Sequence, residues 1–469
     1  MTKSEHAIRS AEPVLPDFEP IKIFEIEISQ PIQHVTADRS TVASTYRKGL
    51  ALVRLHSVPL GVIKIHFEER GVGPEALAAL IWDHLGDAIN AHLRQDGLPE
   101  VTALGPDGLP VSGDTACVSG RRQVLRNAPF VSIVIATRNR ARMLAPTLDS
   151  LLALDYPNFE ILVLDNAPSN SETADLIAQR YGLSGRIRYV REDRPGLGVA
   201  HNRALKELVA PIVAFTDDDV VVDAHWLTAL VRGFEAGPRV GCVTGLVLPA
   251  EVETPAQVLF EQFVGFGKGF AQRIFDLNEN RDKSRLYPYS AGWFGTGASM
   301  AFKTAVLREL GGFAPDLGTG TQALGGDDLD GFFRVIAGGY QLVYQPSSIA
   351  WHYHRRDYAA LRKQAYGYGA GLTAFLVKTI KDRPMRFFDI ALKTPLGLYY
   401  MLRARGPKII QRSPSFPKEL LAIERRGMLY GPIAYLKSYR NHRRLVRAAT
   451  PHVPASRSEV EPAAGKLKG

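Results

Sequence analysis

From Val131 to Asp219, apolar blocks of strand length alternate with stretches in which apolar residues recur at helical spacing. VSIVIA (131–136), FEILVLD (159–165), RIRYVRE (186–192) and PIVAFTDDD (211–219) read as four strands. Val213, Ala214 and Phe215 lack the polar alternation of a half-exposed strand and so read as buried on both faces. ARMLAPTLDSLLAL, SETADLIAQRYG and VAHNRALKELV fall between them as helices. This β-α repeat predicts the α/β class: a mainly parallel, Rossmann-like sheet with right-handed crossovers, flanked by helices. PRVGCVTGLVLPAE adds a strand, and GGDDLDGFFRVIAGGY a helix ending on Gly338-Gly339. GYQLVYQPSSIAWHYHR is a last strand, closing on His352 and His354.

The pattern changes on either side of this domain, which spans 130–356. Upstream, IKIFEIEI and KGLALVRLHSVPLGVIKIHFE read as strands, and GPEALAALIWDHLGDAINAHLRQDGL as a helix stopping at Gly97. They form a small α+β module over 21–113 in which no chemical motif stands out. Residues 114–129 read as a linker and 1–20 as disordered. Downstream, YAALRKQAYGYGAGLTAFLVKTI and DIALKTPLGLYYMLRARGPKII belong to a basic, amphipathic helical extension over 357–445, of a kind able to lie in a membrane interface. Residues 446–469 read as a disordered tail.

Composition narrows the picture only in places. With 45% hydrophobic and 22% charged residues over 469 positions, the chain is an ordinary globular protein long enough for two or three domains. The two cysteines, Cys117 and Cys242, sit in no CxxC or Cys/His cluster, so their spacing implies neither a disulfide framework nor a zinc site and fits a reducing compartment. No secretory h-region opens the sequence, and no window approaches the roughly 18 apolar residues that span a bilayer. Charge is uneven. Residues 351–469 carry 24 Lys and Arg against 7 Asp and Glu, whereas residues 1–350 carry 33 against 41. A basic end of that size calls for an anionic partner or a solvated surface. Its basic residues interleave with Tyr and Leu and show no zinc-finger, RRM or KH pattern, which argues against nucleic acid. The expected location is cytoplasmic, with peripheral association at the inner face of the plasma membrane, whose anionic surface is the expected partner of the basic end.

The chemistry collects at strand ends. Thr137-Arg138-Asn139-Arg140 follows the first strand as a polar turn opening a helix, where backbone N–H groups favour an anion. Asp165-Asn166 ends the second. Asp217, Asp218 and Asp219 end the fourth, and carboxylates so close repel one another unless a cation sits among them. A hard divalent ion completed by a substrate diphosphate is the natural partner. All three lie on the edge where a doubly wound sheet binds nucleotides. RPGLGVAHNRA starts a GxG, but His201 stands where a dinucleotide fingerprint needs its third glycine, and the P-loop pattern is missing. Farther on, Asp327 and Asp328 follow Gly325-Gly326 at a helix start, where one carboxylate facing a hydroxyl could act as general base.

In this order and spacing, these motifs resemble those of family 2 glycosyltransferases with the GT-A fold. The likeness covers roughly Val131 to Arg356. It implies nucleotide-diphosphate-sugar binding by Thr137, Arg138, Asn139, Asp165, Asn202, Asp217 and Asp218, with Asp165 on the base. It also implies a DxD motif on Asp217-Asp218-Asp219, which holds Mg²⁺ or Mn²⁺ with His352, or His354 as the fallback ligand. An acceptor-side loop then falls on Trp293, Gly295, Thr296 and Gly297. The family's Glu-Asp pair falls on Asp327-Asp328, with Asp in place of Glu and Asp328 as base. The expected reaction is inverting transfer to a hydroxyl of a saccharide or lipid-linked acceptor. A catalytically inactive sugar- or lipid-binding protein and a nucleotidyltransferase on a similar sheet are the alternatives.

Overall fold

The computed structural model describes residues 18–38, 45–68, 71–110, 113–403 and 408–449. Most of the expected disordered N-terminus, and the tail beyond Ala449, fall outside them.

The N-terminal module is a three-stranded sheet in the order β1 (Ile21–Glu27), β2 (Lys48–Leu55), β3 (Val58–His66). β1 runs parallel to β2, and β2 and β3 form an antiparallel hairpin. Helix α1 (Pro74–Gln95) presses Leu77, Ile81, Ile89 and Leu93 onto Val53, Ile63 and Ile65. The expected linker is not one. Residues Ala116–Arg126 form helix α2, begun by a Thr115 side chain that accepts from Val118 N. Its buried Cys117 and Val124 face the core. Low hydrophobicity hid this helix; packing and a cap make it.

The main domain begins with β4 (Val131–Thr137), α3 (Ala141–Leu152) and β5 (Phe159–Asn166). A short α4 (Glu172–Leu176) follows and widens into a π turn, leading to β6 (Ile187–Glu192), α5 (Leu197–Glu207) and β7 (Ile212–Asp217). After them come β8 (Val220–Val222), α6 (Trp226–Gly233), β9 (Val240–Pro249), α7 (Pro255–Phe263), β10 (Arg273–Phe275), β11 (Met300–Lys303), α8 (Thr304–Glu309), α9 (Asp327–Ala337) and β12 (Gln341–His352). The nine-stranded sheet has the order β10-β12-β9-β11-β7-β4-β5-β6, with β8 pairing to β12. β4, β5, β6, β7, β9 and β12 run one way, and β8, β10 and β11 the other. Because side chains alternate along a strand, Ile133 and Ile135 enter one core layer and Val134 the other. That is why these strands read as unbroken apolar runs.

Three helices complete the chain: α10 (Tyr358–Asp382), α11 (Arg386–Arg403) and α12 (Lys418–Ala449). The extension is largely packed onto the main domain. Ala365, Ala370, Ala374 and Phe375 of α10 are buried, and Phe375 meets Phe333 of α9 edge-on. Close approach of α12 depends on glycine: a Cβ at Gly427 would fall on the Tyr366 carbonyl oxygen. On α11, by contrast, Met385 just before it and Phe387, Phe388 and Leu392 are exposed. Among the described residues, no helix is long and apolar enough to cross a membrane.

Candidate active site

The register aligns three strand ends on one sheet edge, for Thr137 pairs with Asp165 and Ala136 with Asp217. After Asp217 the chain turns through Asp218 and Asp219 into β8, whose Val220 lies opposite His352 of β12. That return brings His352 Nε2 to 3.3 Å from Asp219 Oδ1, while Tyr353 N donates to Asp219 O at 2.9 Å. Ligand atoms of Asp217, Asp219 and His352 all lie within 4.8 Å of one another.

Asp218 faces elsewhere. Its Oδ2 accepts from Thr137 Oγ1 at 2.6 Å, and its Oδ1 pairs with Arg140. The second arm of the Arg140 fork reaches Asp219 Oδ2 at 2.7 Å. Arg140 therefore braces two of the three aspartates, a role that its place in the turn did not reveal. Burial, then the charges of Asp219 and Asp218, push the Asp217 carboxyl well up. Burial, against Arg140, raises Asp218 to about 6. Burial would also raise Asp219, but His352 and Arg140 hold it below its ordinary value. The cluster is short of positive charge, and Asp217 carries the deficit. Two carboxylates and an imidazole that burial lowers to about 4, hence neutral near pH 7, make a donor set fitting a divalent cation.

His354, the alternative ligand, points away. Its Nε2 lies 2.7 Å from Glu261 Oε1 in a buried pair, and its Nδ1 lies 3.1 Å from His352 Nδ1. A Glu-His-His chain of this kind sets which nitrogen of His352 carries its proton and so prepares the other to bind.

Across the edge, α9 begins on Gly326, whose φ of 86° is left-handed and whose position makes no side-chain cap. Asp327 and Asp328 are thus the first helical residues and not caps. Asp328 Oδ2 accepts from Gly297 N at 3.3 Å and Oδ1 from Leu329 N at 2.8 Å. Burial raises Asp328, with those N–H groups and Lys268 opposing; burial and then Asp328 raise Asp327 to about 7. Asp217 also feels the charge of Asp327, so the two acidic groups share one field. Gly295 holds the loop at φ 147°, where a Cβ would strike Thr244. Phe294 is fully buried against Phe275 and Tyr287, whereas Trp293 is 38% exposed and lies under Lys268 Nζ at 6.0 Å. Burial lowers Lys268 to about 8, and its charge acts on Asp328. Nothing in its local sequence marked it.

The remaining expected donor residues are spread. Asp165 accepts from Tyr189 Oη at 2.9 Å with Oδ2, and its buried Oδ1 has no partner among the described residues. Asn139 is tied to Ser169, its Nδ2 donating to Oγ at 2.7 Å, and Arg138 is exposed. Asn202 is not brought to the cluster. Its amide clamps the backbone of Phe313, donating to O at 2.7 Å and accepting from N at 2.8 Å.

Residues 132–310 match the family described as Glycosyl transferase family 2. The O-antigen biosynthesis protein RfbC of Myxococcus xanthus is 30% identical over 48% of this chain and 17% of its own length. Poly-beta-1,6-N-acetyl-D-glucosamine synthase of Staphylococcus epidermidis is 23% identical over 55% of this chain and 59% of its own. The chain thus spans less than two thirds of either relative. Among solved structures, mannosyltransferase PcManGT from Pyrobaculum calidifontis, in complex with GDP-Man and Mn2+, aligns at 20% identity with a TM-score of 0.40, over 69% of this chain and 76% of its own.

Proposed function

We propose that this chain, whose residues 132–310 form a family 2 glycosyltransferase domain, is a metal-dependent inverting enzyme. It moves a sugar from a nucleotide-diphosphate donor to a hydroxyl of a saccharide or lipid-linked acceptor. One observation carries the reading. Asp217, Asp219 and His352 gather on the sheet edge, and Asp328 stands at the loop bounding that edge, 3.3 Å from Gly297 N. Both Asp328 and His352 lie beyond the matched stretch, so the family match alone did not select them.

Asp217, Asp219 and His352 would hold Mg²⁺ or Mn²⁺, which offsets charge on the departing nucleotide diphosphate. Arg140 keeps Asp218 and Asp219 ionised and in place. The unpartnered Asp165 Oδ1 is suited to accept from an N–H of the base. Asp328 takes the acceptor's hydroxyl proton as that oxygen attacks the anomeric carbon. The carbon–oxygen bond to the diphosphate breaks on the opposite face, and the configuration inverts. Trp293, exposed beside the loop, offers a ring for an acceptor sugar to stack on. The relatives' names, an O-antigen biosynthesis protein and a polysaccharide synthase, favour a cell-surface saccharide acceptor.

The donor site is tested by melting the purified chain with UDP-, GDP- and dTDP-sugars, with and without Mn²⁺. Ligands that bind only the native state raise its melting temperature by mass action. One nucleotide class is expected to raise it in a metal-dependent way, and Asp217→Asn with Asp219→Asn is expected to abolish that dependence. A shift identical without metal would refute the metal reading.

A lipid-linked acceptor also gives the exposed face of α11 a role. Met385, Phe388 and Leu392 recur along one side, with Arg386 and Lys393 nearby, the composition of an interfacial helix. The chain should co-sediment with vesicles containing phosphatidylglycerol and not with purely zwitterionic ones. Phe388→Glu with Leu392→Glu should release it; equal binding by that variant would remove α11 from the interface.

A further inference from the structure

The N-terminal module, which showed no motif in sequence, assembles a second cluster of metal-ligating side chains away from the catalytic edge. His56, His92, Asp96 and Cys117 are all buried, and one ligand atom of each lies within 4.8 Å of all the others. His56 Nδ1 is 2.8 Å from Asp96 Oδ2 and 3.2 Å from His92 Nε2. His92 Nε2 is 3.0 Å from Asp96 Oδ2. Cys117 Sγ is 2.9 Å from Asp96 Oδ2 and 4.0 Å from His92 Nε2. Metal–ligand distances of about 2.0–2.3 Å in a zinc tetrahedron put the ligands about 3.3–3.8 Å apart. Four of the contacts, at 2.8, 2.9, 3.0 and 3.2 Å, are shorter than that, so these groups spread apart to admit the ion.

Three elements supply the four groups. His92 and Asp96 are one helical turn apart at the end of α1, and Cys117 is in the first turn of α2. His56 sits in the β2–β3 turn with φ of 54°, followed by Ser57 at 66°. Hairpin turns with two positive φ values favour Asn and Gly; a histidine there is strained. Glu27 holds the strained turn, accepting from His56 N at 3.0 Å and Ser57 N at 2.8 Å. The result is an imidazole aimed at the other three groups. Cys117 N donates to Asp96 Oδ1 at 2.8 Å, which orients the carboxylate so that Oδ2 faces the same point.

We propose that His56, His92, Asp96 and Cys117 bind one zinc ion as a closed structural site. Two imidazoles, a thiolate and a carboxylate suit Zn²⁺ and exclude Mg²⁺ and Ca²⁺, which take oxygen shells. Four protein ligands leave no position for substrate, the mark of a structural zinc. Binding releases the Cys117 thiol proton, since the ligand is the thiolate. The site staples α2 to the module's hairpin and helix. α2 in turn contacts the catalytic domain, for Arg121 Nη1 meets His225 Nε2 at 2.9 Å and Arg232 Nη1 donates to Cys117 O at 3.4 Å. The metal thereby fixes how the module is seated on the α6 side of the sheet.

The test uses the full chain without a histidine tag. Elemental analysis after exhaustive dialysis should find one equivalent of zinc per chain, which Cys117→Ser and His92→Ala lose. Because losing a ligand of a structural site can itself prevent folding, a second measurement uses the unaltered chain. Zinc is removed with a chelator and Co²⁺ is added. A near-ultraviolet thiolate-to-cobalt charge-transfer band is expected. It should persist in Asp217→Asn with Asp219→Asn, whose site contains no sulfur. Absence of both zinc and the cobalt band in the folded, unaltered chain overturns the proposal, as does zinc retained undiminished by Cys117→Ser.

Discussion

Asp328→Asn is expected to lower the turnover of sugar transfer by about 10²–10⁴-fold, the range for losing a general base. Donor affinity and melting temperature should stay near those of the unaltered chain. The amide keeps the shape of the carboxylate and an oxygen able to accept from Leu329 N, so α9 should start as before. What it loses is the ability to take a proton beside Gly297. Donor affinity is spared because Asp217 and His352 end β7 and β12 and Asp219 lies in the turn into β8, all apart from α9. Asp327→Asn is the necessary companion, for Asp327 adjoins the base and its carboxyl is raised to about 7, chiefly by burial. Its Cγ would lie 2.9 Å from a Cβ at Gly318, whereas Gly297 N meets Asp328. Asp327→Asn is therefore expected to cost less in turnover. If Asp328→Asn turns over normally and Asp327→Asn does not, the base is Asp327.

The alternation of strands and helices from Val131 to Asp217 was legible because a parallel sheet buried on both faces leaves long apolar runs. The candidate acids stood out because each closes a strand, follows its end or opens a helix. Residues acting across elements were not. Arg140 braces Asp218 and Asp219 from nearly eighty positions away, a contact that only the β4–β7 pairing creates. Between Asp218 and Asp219 the sequence offered no preference; the β8–β12 pairing sets His352 beside Asp219, which favours Asp219 in the proposed ligand set. Asn202 failed in the other direction, since its motif position suggested the donor while its amide fits the Phe313 backbone. The module's cluster was invisible for a related reason. His56 and His92 are 36 positions apart and Asp96 and Cys117 are 21, distances that match no metal-binding spacing. Amphipathic helices at the C-terminus were read correctly as helices. Their close packing needed the glycines of α10 and α12 to be seen facing one another.

His201→Phe should flatten the acid side of the stability profile. His201 is 5% exposed and sits between the rings of Phe215 and Phe313, with centroids 4.7 and 4.8 Å away. Its Nδ1 has no partner among the described residues, and burial pushes the imidazole down to about 3. The unfolded chain binds this proton near pH 6.5 and the folded chain only near 3. The stability from a neutral His201 is therefore complete above pH 6.5 and is lost as pH falls toward 3. The loss is roughly 1.4 kcal/mol per pH unit in that window, a few kcal/mol in total. Phenylalanine cannot titrate, and it fits an apolar slot already lined by two rings. Melting temperature measured from pH 8 to pH 4 should then fall less steeply in the variant, with little difference above pH 7. His352 is likewise lowered by burial, to about 4, so some acid slope should remain. Parallel curves for the two proteins would mean that His201 takes up no extra proton on unfolding.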